Sequence, residues 1–173
     1  MSEQVRVLIS EEEVERRICE MGKEISEYYQ GEPVHLVSVL KGGVFFTCEL
    51  AKRLTVPVSI DFMSVSSYGN GTKSSGVVKL VKDLDEEIQG KNVLVVEDIV
   101  DSGRTLSYLL ENLKSRKPKS LRLCTLLDKP ERRVADVHVD YTGFAIPDEF
   151  VVGYGLDYMQ HYRNLPYVGV VEL

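Results

Sequence analysis

The residues best suited to chemistry stand together at 93–106: Val-Leu-Val-Val-Glu-Asp-Ile-Val-Asp-Ser-Gly-Arg-Thr-Leu. An apolar run ends abruptly in Glu97 and Asp98, and Asp101-Ser102-Gly103-Arg104-Thr105 then leads into a helical pattern. Ligands of parallel sheets bind at the carboxyl ends of the strands. A helix start there offers unpaired N–H groups and a favourable dipole to an anion. Gly103 lets the backbone come close, and Ser102 and Thr105 add hydroxyl donors. The pattern reads as a phosphate cradle with carboxylates beside it. Two acids next to such a loop suit a ligand whose two hydroxyls they hold, or a Mg²⁺ ion. Taken singly, Asp101 would cap a helix, and Glu97 and Asp98 would face water. Three acids with Ser-Gly-x-Thr at one strand end argue for a site instead.

The surrounding elements are those needed to present that strand end. Residues 34–40, 56–66, 92–97 and 121–127 read as strands, with 92–97 the strongest buried strand. Ser10 followed by Glu13 forms a capping box, and Val14, Ile18, Met21 and Ile25 follow at helical spacing, with Gly31 as a stop. Further helices are expected over 44–54, after Lys41-Gly42-Gly43, and over 105–115 through Leu106, Leu109, Leu110 and Leu113. Residues 67–76, rich in Gly and Ser, form the most loop-like stretch, and 77–81 could pair back as a hairpin arm. Short strands near 141–146, 150–154 and 167–172 complete the chain. Strands alternating with helices predict βαβ units and a mainly parallel sheet. The strand-rich C-terminal third is expected to form a small cap.

Composition narrows the classes further. The chain has 173 residues and a net charge of −6. That length suits one domain, at roughly 100–200 residues each. The acidic balance argues against a dedicated nucleic-acid binder. No apolar run reaches the roughly 18 residues needed to span a bilayer, and the N-terminus lacks the pattern of a signal peptide. Cys19, Cys48 and Cys124 are widely spaced and form no CxxC pair, so neither a disulfide framework nor a zinc site is indicated, and a reducing cytoplasmic setting is expected. His35, His138 and His161 show no metal-ligand spacing. Gly69-Asn-Gly-Thr-Lys-Ser lacks the order of a P-loop.

The 93–106 segment resembles the phosphoribosyl-pyrophosphate (PRPP) motif of the type I phosphoribosyltransferases: an apolar strand, two acids, two apolar residues, then Asp-Ser/Thr-Gly-x-Thr. Lys41-Gly42-Gly43, Ser67-Tyr68, Leu127-Asp128-Lys129-Pro130 and Gly143-Phe-Ala-Ile-Pro-Asp-Glu-Phe-Val-Val-Gly-Tyr-Gly-Leu-Asp-Tyr158 resemble, more narrowly, the hypoxanthine (guanine) phosphoribosyltransferases. The resemblance runs from about residue 5 to 172. It implies an α/β fold of type I, with a central sheet of about five mainly parallel strands flanked by helices. A cap, or hood, would come from the N-terminal segment and about 130–173, within a single domain over 1–173.

The resemblance also implies roles. The reaction would transfer 5-phosphoribose from PRPP to hypoxanthine or guanine. Asp101 would be the catalytic base near purine N7. Asp101, Ser102, Gly103, Arg104 and Thr105 would hold the 5′-phosphate, and Glu97 and Asp98 the ribose hydroxyls. Lys41, Gly42 and Arg163 would contact pyrophosphate, with a cis bond at Lys41–Gly42. Lys129, Phe150, Val151 and Asp157 would line the purine site: Lys129 donating to the 6-oxo group, Phe150 stacking, Val151 offering its backbone. Mg²⁺ is the implied cofactor, with Glu97, Asp98 and Asp157 around it. Ser67 and Tyr68 would close as a lid. A homo-oligomer, dimer or tetramer, is implied, with no nucleic acid or membrane partner. Lysine has donors and no acceptor, which disfavours adenine. Xanthine also carries O6 and stays open, as does a non-catalytic regulator that binds nucleotide or RNA on this fold. On its own, Lys129 would read as a solvated loop lysine and Phe150 as core.

Overall fold

The computed structural model describes residues 4–68 and 77–172. The chain runs β1 (Gln4–Ile9), α1 (Glu11–Tyr29), β2 (Val34–Val39), α2 (Val44–Arg53), β3 (Val58–Tyr68), β4 (Val77–Lys82), β5 (Asn92–Val100), α3 (Arg104–Ser115), β6 (Ser120–Asp128), a 3₁₀ turn (Pro130–Arg132), β7 (Tyr141–Ala145), β8 (Val151–Val152) and β9 (Val168–Glu172). The main sheet has the order β4-β3-β2-β5-β6-β7. Its five strands from β3 to β7 are mutually parallel, and β4 pairs antiparallel with β3 as the expected hairpin arm. The sheet is therefore one strand wider than the sequence suggested.

Period-two alternation in β5 explains the layering. Leu94 and Val96 join the core under α1 and α2, through Ile18, Met21, Ile25, Phe46 and Leu50. Val93 and Val95 face the other way, onto Leu106, Leu109 and Leu113 of α3. A strand buried on both faces is mostly apolar, which is why 93–96 stands out in the sequence. At α1, the Ser10–Glu13 capping box forms as expected, and the helix ends at Gln30 in a left-handed conformation, one residue before Gly31.

A second sheet, β1-β9-β8, is antiparallel and makes the hood from both chain ends. Residues 141–145, expected in the cap, instead extend the main sheet: Cys124 pairs with Tyr141 and Leu127 with Phe144. Both sheets offer Tyr141 a buried face, so its apolar character does not choose between them. No helix among the described residues is long and apolar enough to cross a membrane. Cys19, Cys48 and Cys124 are free thiols.

Candidate active site

The parallel strands end at one rim, and the loop after β5 forms its floor. Gly103, at φ 81°, turns the chain into α3 and caps that helix without any side-chain bond. The first intrahelical bond runs from the Ser107 N–H to the Gly103 carbonyl at 2.8 Å. The amides before it have no carbonyl of their own helix to bond, which suits an anion. A pocket of about 140 Å³ opens here, lined by Glu97, Ile99, Asp101, Ser102, Gly103 and Thr105 among others.

The loop is held by the segment after β6. Arg133 donates to the Asp101 carbonyl at 3.4 Å and to the Val137 carbonyl at 3.1 Å, and pairs with Asp128. The Val134 and Ala135 amides donate to the Ser102 carbonyl at 3.0 and 3.1 Å. A side chain on Gly103 would press on Arg133 and Val137 from 3.0 and 3.2 Å. The sequence motif therefore depends on a support about thirty residues downstream.

Glu97 and Asp98 lie side by side where β5 leaves the core. The Asp98 amide donates to the Glu97 carboxylate at 3.3 Å, and the Ile99 amide to that of Asp98 at 2.7 Å. Burial, and then the neighbouring Asp98 charge, hold the Glu97 carboxyl well above its usual range. Burial also raises Asp98, outweighing its hydrogen bonds and the distant Arg163 charge. Desolvated neighbouring acids resist joint ionisation unless a cation or donors arrive. This oxygen pair fits both ribose hydroxyls and a hard divalent cation.

The loop after β2 passes directly over this pair. A Cβ on Gly42 would meet an Asp98 carboxylate oxygen at 1.8 Å. The cis peptide bond is Leu40–Lys41, one residue earlier than the expected Lys41–Gly42 bond. The neighbouring amides are tied down: Leu40 to the Met63 carbonyl at 2.8 Å, Gly43 to Val39 at 3.0 Å and Val44 to Lys41 at 3.2 Å. Between them, the Lys41 and Gly42 amides have no backbone acceptor among the described residues. Lys41 Nζ donates to Gln160 Oε1 at 3.2 Å, and Arg163 donates to the same oxygen at 3.2 Å. Two cations converge on one neutral amide there, as befits a place for a polyanion.

Arg163 also donates to the Gly155 carbonyl at 2.7 Å and pairs with Asp157 at 3.2 Å. The Gln160 amide donates to Asp157 Oδ2 at 2.8 Å. Asp157 is thus engaged on both sides. With Glu97 and Asp98 it forms no three-ligand metal cluster among the described residues. Gln160 carried no motif signal: Asp157 and Arg163 are near in sequence, but the contact that ties it to the site, Lys41, is not.

Across the rim lie the residues expected at the purine. Lys129, 8% exposed, is not the solvated loop lysine its sequence context suggests. Its Nζ stands 3.7 Å from Asp148 Oδ1. Arg132 Nε donates to Asp101 Oδ1 at 2.7 Å, and its Nη1 to Asp148 Oδ2 at 3.2 Å. Phe150 is 49% exposed rather than core. Tyr158 meets it edge-to-face with centroids 5.6 Å apart. Val151 is buried in β8 and pairs with Val170. Ser67, next to last in β3, pairs with Val78, and the Tyr68 backbone pairs with Val77. The rest of the expected lid, 69–76, lies outside the described residues, as does the Tyr68 side chain.

A parallel sheet whose rim joins a helix start, a half-buried acid pair and two converging cations makes an α/β protein with the groups to hold a phosphorylated, hydroxyl-bearing ligand. The model of the phosphoribosyl transferase domain matches residues 8–159, and the chain belongs to that family. It is 54% identical over 175 residues to the hypoxanthine phosphoribosyltransferase of Salmonella typhimurium, covering 100% of this chain and 98% of that protein. It is also 54% identical over 167 residues to the bifunctional protein TilS/HprT of Listeria monocytogenes, a match that takes 96% of this chain but spans only 26% of that relative's length. A crystal structure of a hypoxanthine-guanine phosphoribosyltransferase from Bacillus anthracis superimposes with a TM-score of 0.94 at 49% identity, covering 98% of this chain and 100% of that one.

Proposed function

We propose that the chain transfers 5-phosphoribose from PRPP to a 6-oxopurine, hypoxanthine or guanine, giving IMP or GMP and pyrophosphate. The observation that carries this reading is the buried Lys129 ammonium, joined through Asp148 and Arg132 to Asp101. A donor-only group favours a base with an oxygen at position 6, and the carboxylate supplies an acceptor for the N7 proton. The names of the full-length relatives agree with this substrate class.

In this mechanism the 102–105 amides and hydroxyls hold the 5′-phosphate, and Glu97 and Asp98 hold the ribose hydroxyls. Lys41, the Gly42 amide and Arg163 draw the leaving pyrophosphate. Phe150 stacks on the purine, while the Val151 backbone meets its edge. As the bond to pyrophosphate lengthens, positive charge develops on the ribosyl centre. Fixed groups at both ends lower the barrier by orientation and preorganised electrostatics. Glu97 and Asp98 are the residues that would hold Mg²⁺, and Asp157 would join them only by giving up its bonds to Arg163 and the Gln160 amide. When bound, the ion offsets the charge of the departing pyrophosphate. Ser67 and Tyr68 belong to a lid that excludes water. A cytoplasmic homo-oligomer, dimer or tetramer, completes the reading.

The test is to offer PRPP and Mg²⁺ with hypoxanthine, guanine, xanthine, adenine and uracil in turn and to separate the nucleotides formed by chromatography. IMP and GMP are expected, with adenine and uracil inert. Absence of any nucleotide would overturn the reading, and turnover of xanthine alone would reassign the base.

A further inference from the structure

Asp101 and Lys129 come from the ends of different strands, β5 and β6, and the connection between them is made by two residues to which the sequence assigned no role, Arg132 and Asp148. Arg132 Nε donates to Asp101 Oδ1 at 2.7 Å. Arg132 Nη1 donates to both oxygens of Asp148, at 3.2 and 3.5 Å. Asp148 Oδ1 in turn lies 3.7 Å from Lys129 Nζ. The four charges alternate in sign along the chain Lys129–Asp148–Arg132–Asp101. The one-turn 3₁₀ helix at Pro130–Arg132 brings Arg132 back toward the loop, with its amide bonded to the Lys129 carbonyl at 3.1 Å. Its neighbour Arg133 holds the Asp101 carbonyl, so consecutive arginines take the side chain and the backbone of one aspartate.

Stability does not account for this chain of charges. The Arg132, Asp148 and Asp101 side chains are 50%, 49% and 45% exposed. Ion pairs at such exposure contribute little to folding. Geometry accounts for it better. O6 and N7 are neighbours on one edge of a purine, so a donor for one and an acceptor for the other must stand at a set separation. The guanidinium is a rigid planar fork, and here Nε and Nη1 each hold a different carboxylate. The Arg132 bond to Asp101 uses Oδ1, which leaves the second oxygen for a ligand.

We infer that Arg132 and Asp148 are positioning residues that brace Asp101 and Lys129 at the spacing of the O6–N7 edge. The inference rests on the roles proposed above for Asp101 and Lys129. It adds two residues to the reaction without making either touch the substrate. Lysine at 132 keeps the charge but cannot hold two carboxylates at a fixed angle.

The test compares wild type with Arg132→Lys, Arg132→Gln, Asp148→Asn and the double variant Arg132→Gln/Asp148→Asn. Turnover of hypoxanthine, KM for PRPP and melting temperature are measured for each. Each single variant, Arg132→Lys included, is expected to lower kcat on the order of 10- to 100-fold, as a small misplacement of reacting groups does. KM for PRPP should stay within about twofold, because the phosphate contacts are untouched. The double variant should be no slower than the slower single, since both remove one brace. Melting temperatures should be unchanged. Full activity in the single variants, rescue by lysine, multiplicative losses in the double variant, or a fall in kcat that tracks a fall in melting temperature would each overturn the brace alone. A wild type that makes no nucleotide from any 6-oxopurine would overturn the underlying reading and the brace with it.

Discussion

Gly155 lies so close to Gly42 that a Cβ built on it would meet the Gly42 carbonyl oxygen at 1.9 Å. Its φ of 99° is also one that side chains rarely adopt. The hood and the loop that carries Lys41 are thus pressed together through two glycines, with Asp98 on the far side of Gly42. Gly155→Ala is expected to destabilise the fold by about 1–3 kcal/mol and to displace the Lys41 loop. A lower melting temperature together with a raised KM for PRPP would be the signature. A variant with unaltered melting and kinetics would show that this contact yields.

Removing the Lys129 ammonium takes away the donor for O6. Lys129→Ala should lower kcat/KM for hypoxanthine by on the order of a hundredfold or more, the scale for one preorganised donor. PRPP binding should change little, because among the described residues the Lys129 ammonium pairs with Asp148 rather than with the 102–105 loop. Normal kcat/KM for hypoxanthine in this variant would remove Lys129 from base reading.

Chelation bears on Glu97 and Asp98. Burial raises the pKa of both carboxyls, and the Asp98 charge raises Glu97 further, so the pair has oxygen donors suited to a cation. Excess chelator should abolish turnover with PRPP, and added Mg²⁺ should restore it. Full activity in excess chelator would contradict the assignment.

Away from the site, Asp61 anchors the chain that follows β4. Its carboxylate accepts the amides of Phe62 at 2.8 Å, Asp85 at 3.0 Å and Glu86 at 3.1 Å. Burial raises its pKa, but those amides outweigh burial and the net shift is downward. The neighbouring His35 bonds Ser59 at 2.6 Å, and its Nε2 stands 3.8 Å from Asp61. Burial, then Lys91, lowers the His35 pKa, and Asp61 pulls the other way without prevailing. Below the usual value of 6.5 the unfolded chain takes up a proton at His35 that the folded chain resists. Stability should therefore fall as pH drops from 6.5 toward the lowered folded value. The Asp61 contribution persists above 3.8 and is lost only as pH falls through its own lowered value. Thermal melts of wild type and His35→Gln between these limits check this. An identical pH slope in the two proteins would remove His35 as its source.

Local signals made most of the elements legible. Val14, Ile18, Met21 and Ile25 recur at the spacing that buries one helix face, and all four are core residues. The run 93–96 is apolar because both faces of β5 are covered. Where two environments ask for the same residues, the sequence could not choose: 141–145 is apolar enough for hood or sheet, and only its pairing with β6 places it. The strand over 4–9 carried no distinct signal, since its pattern is completed by β9 at the other end of the chain.

The site divides the same way. Glu97, Asp98 and the 101–105 loop are contiguous, so spacing alone reveals them. Arg132, Asp148 and Gln160 are surface-type residues that each have at least one partner beyond local spacing, as Arg132 has Asp101 and Gln160 has Lys41. Charged loop residues are mostly solvated, and nothing local distinguishes those that are not. Lys129 and Phe150 show the converse: context suggested a solvated lysine and a core phenylalanine, and burial is reversed for both.

The most direct test lies at Asp101. Wild type and Asp101→Asn should be compared with PRPP, Mg²⁺ and hypoxanthine, measuring kcat by pyrophosphate release and PRPP affinity by titration. Asparagine keeps the shape but cannot take the N7 proton. A fall in kcat on the order of 100-fold or more, the scale of a lost general base, is expected with PRPP affinity nearly unchanged. Turnover at the wild-type rate would contradict the account.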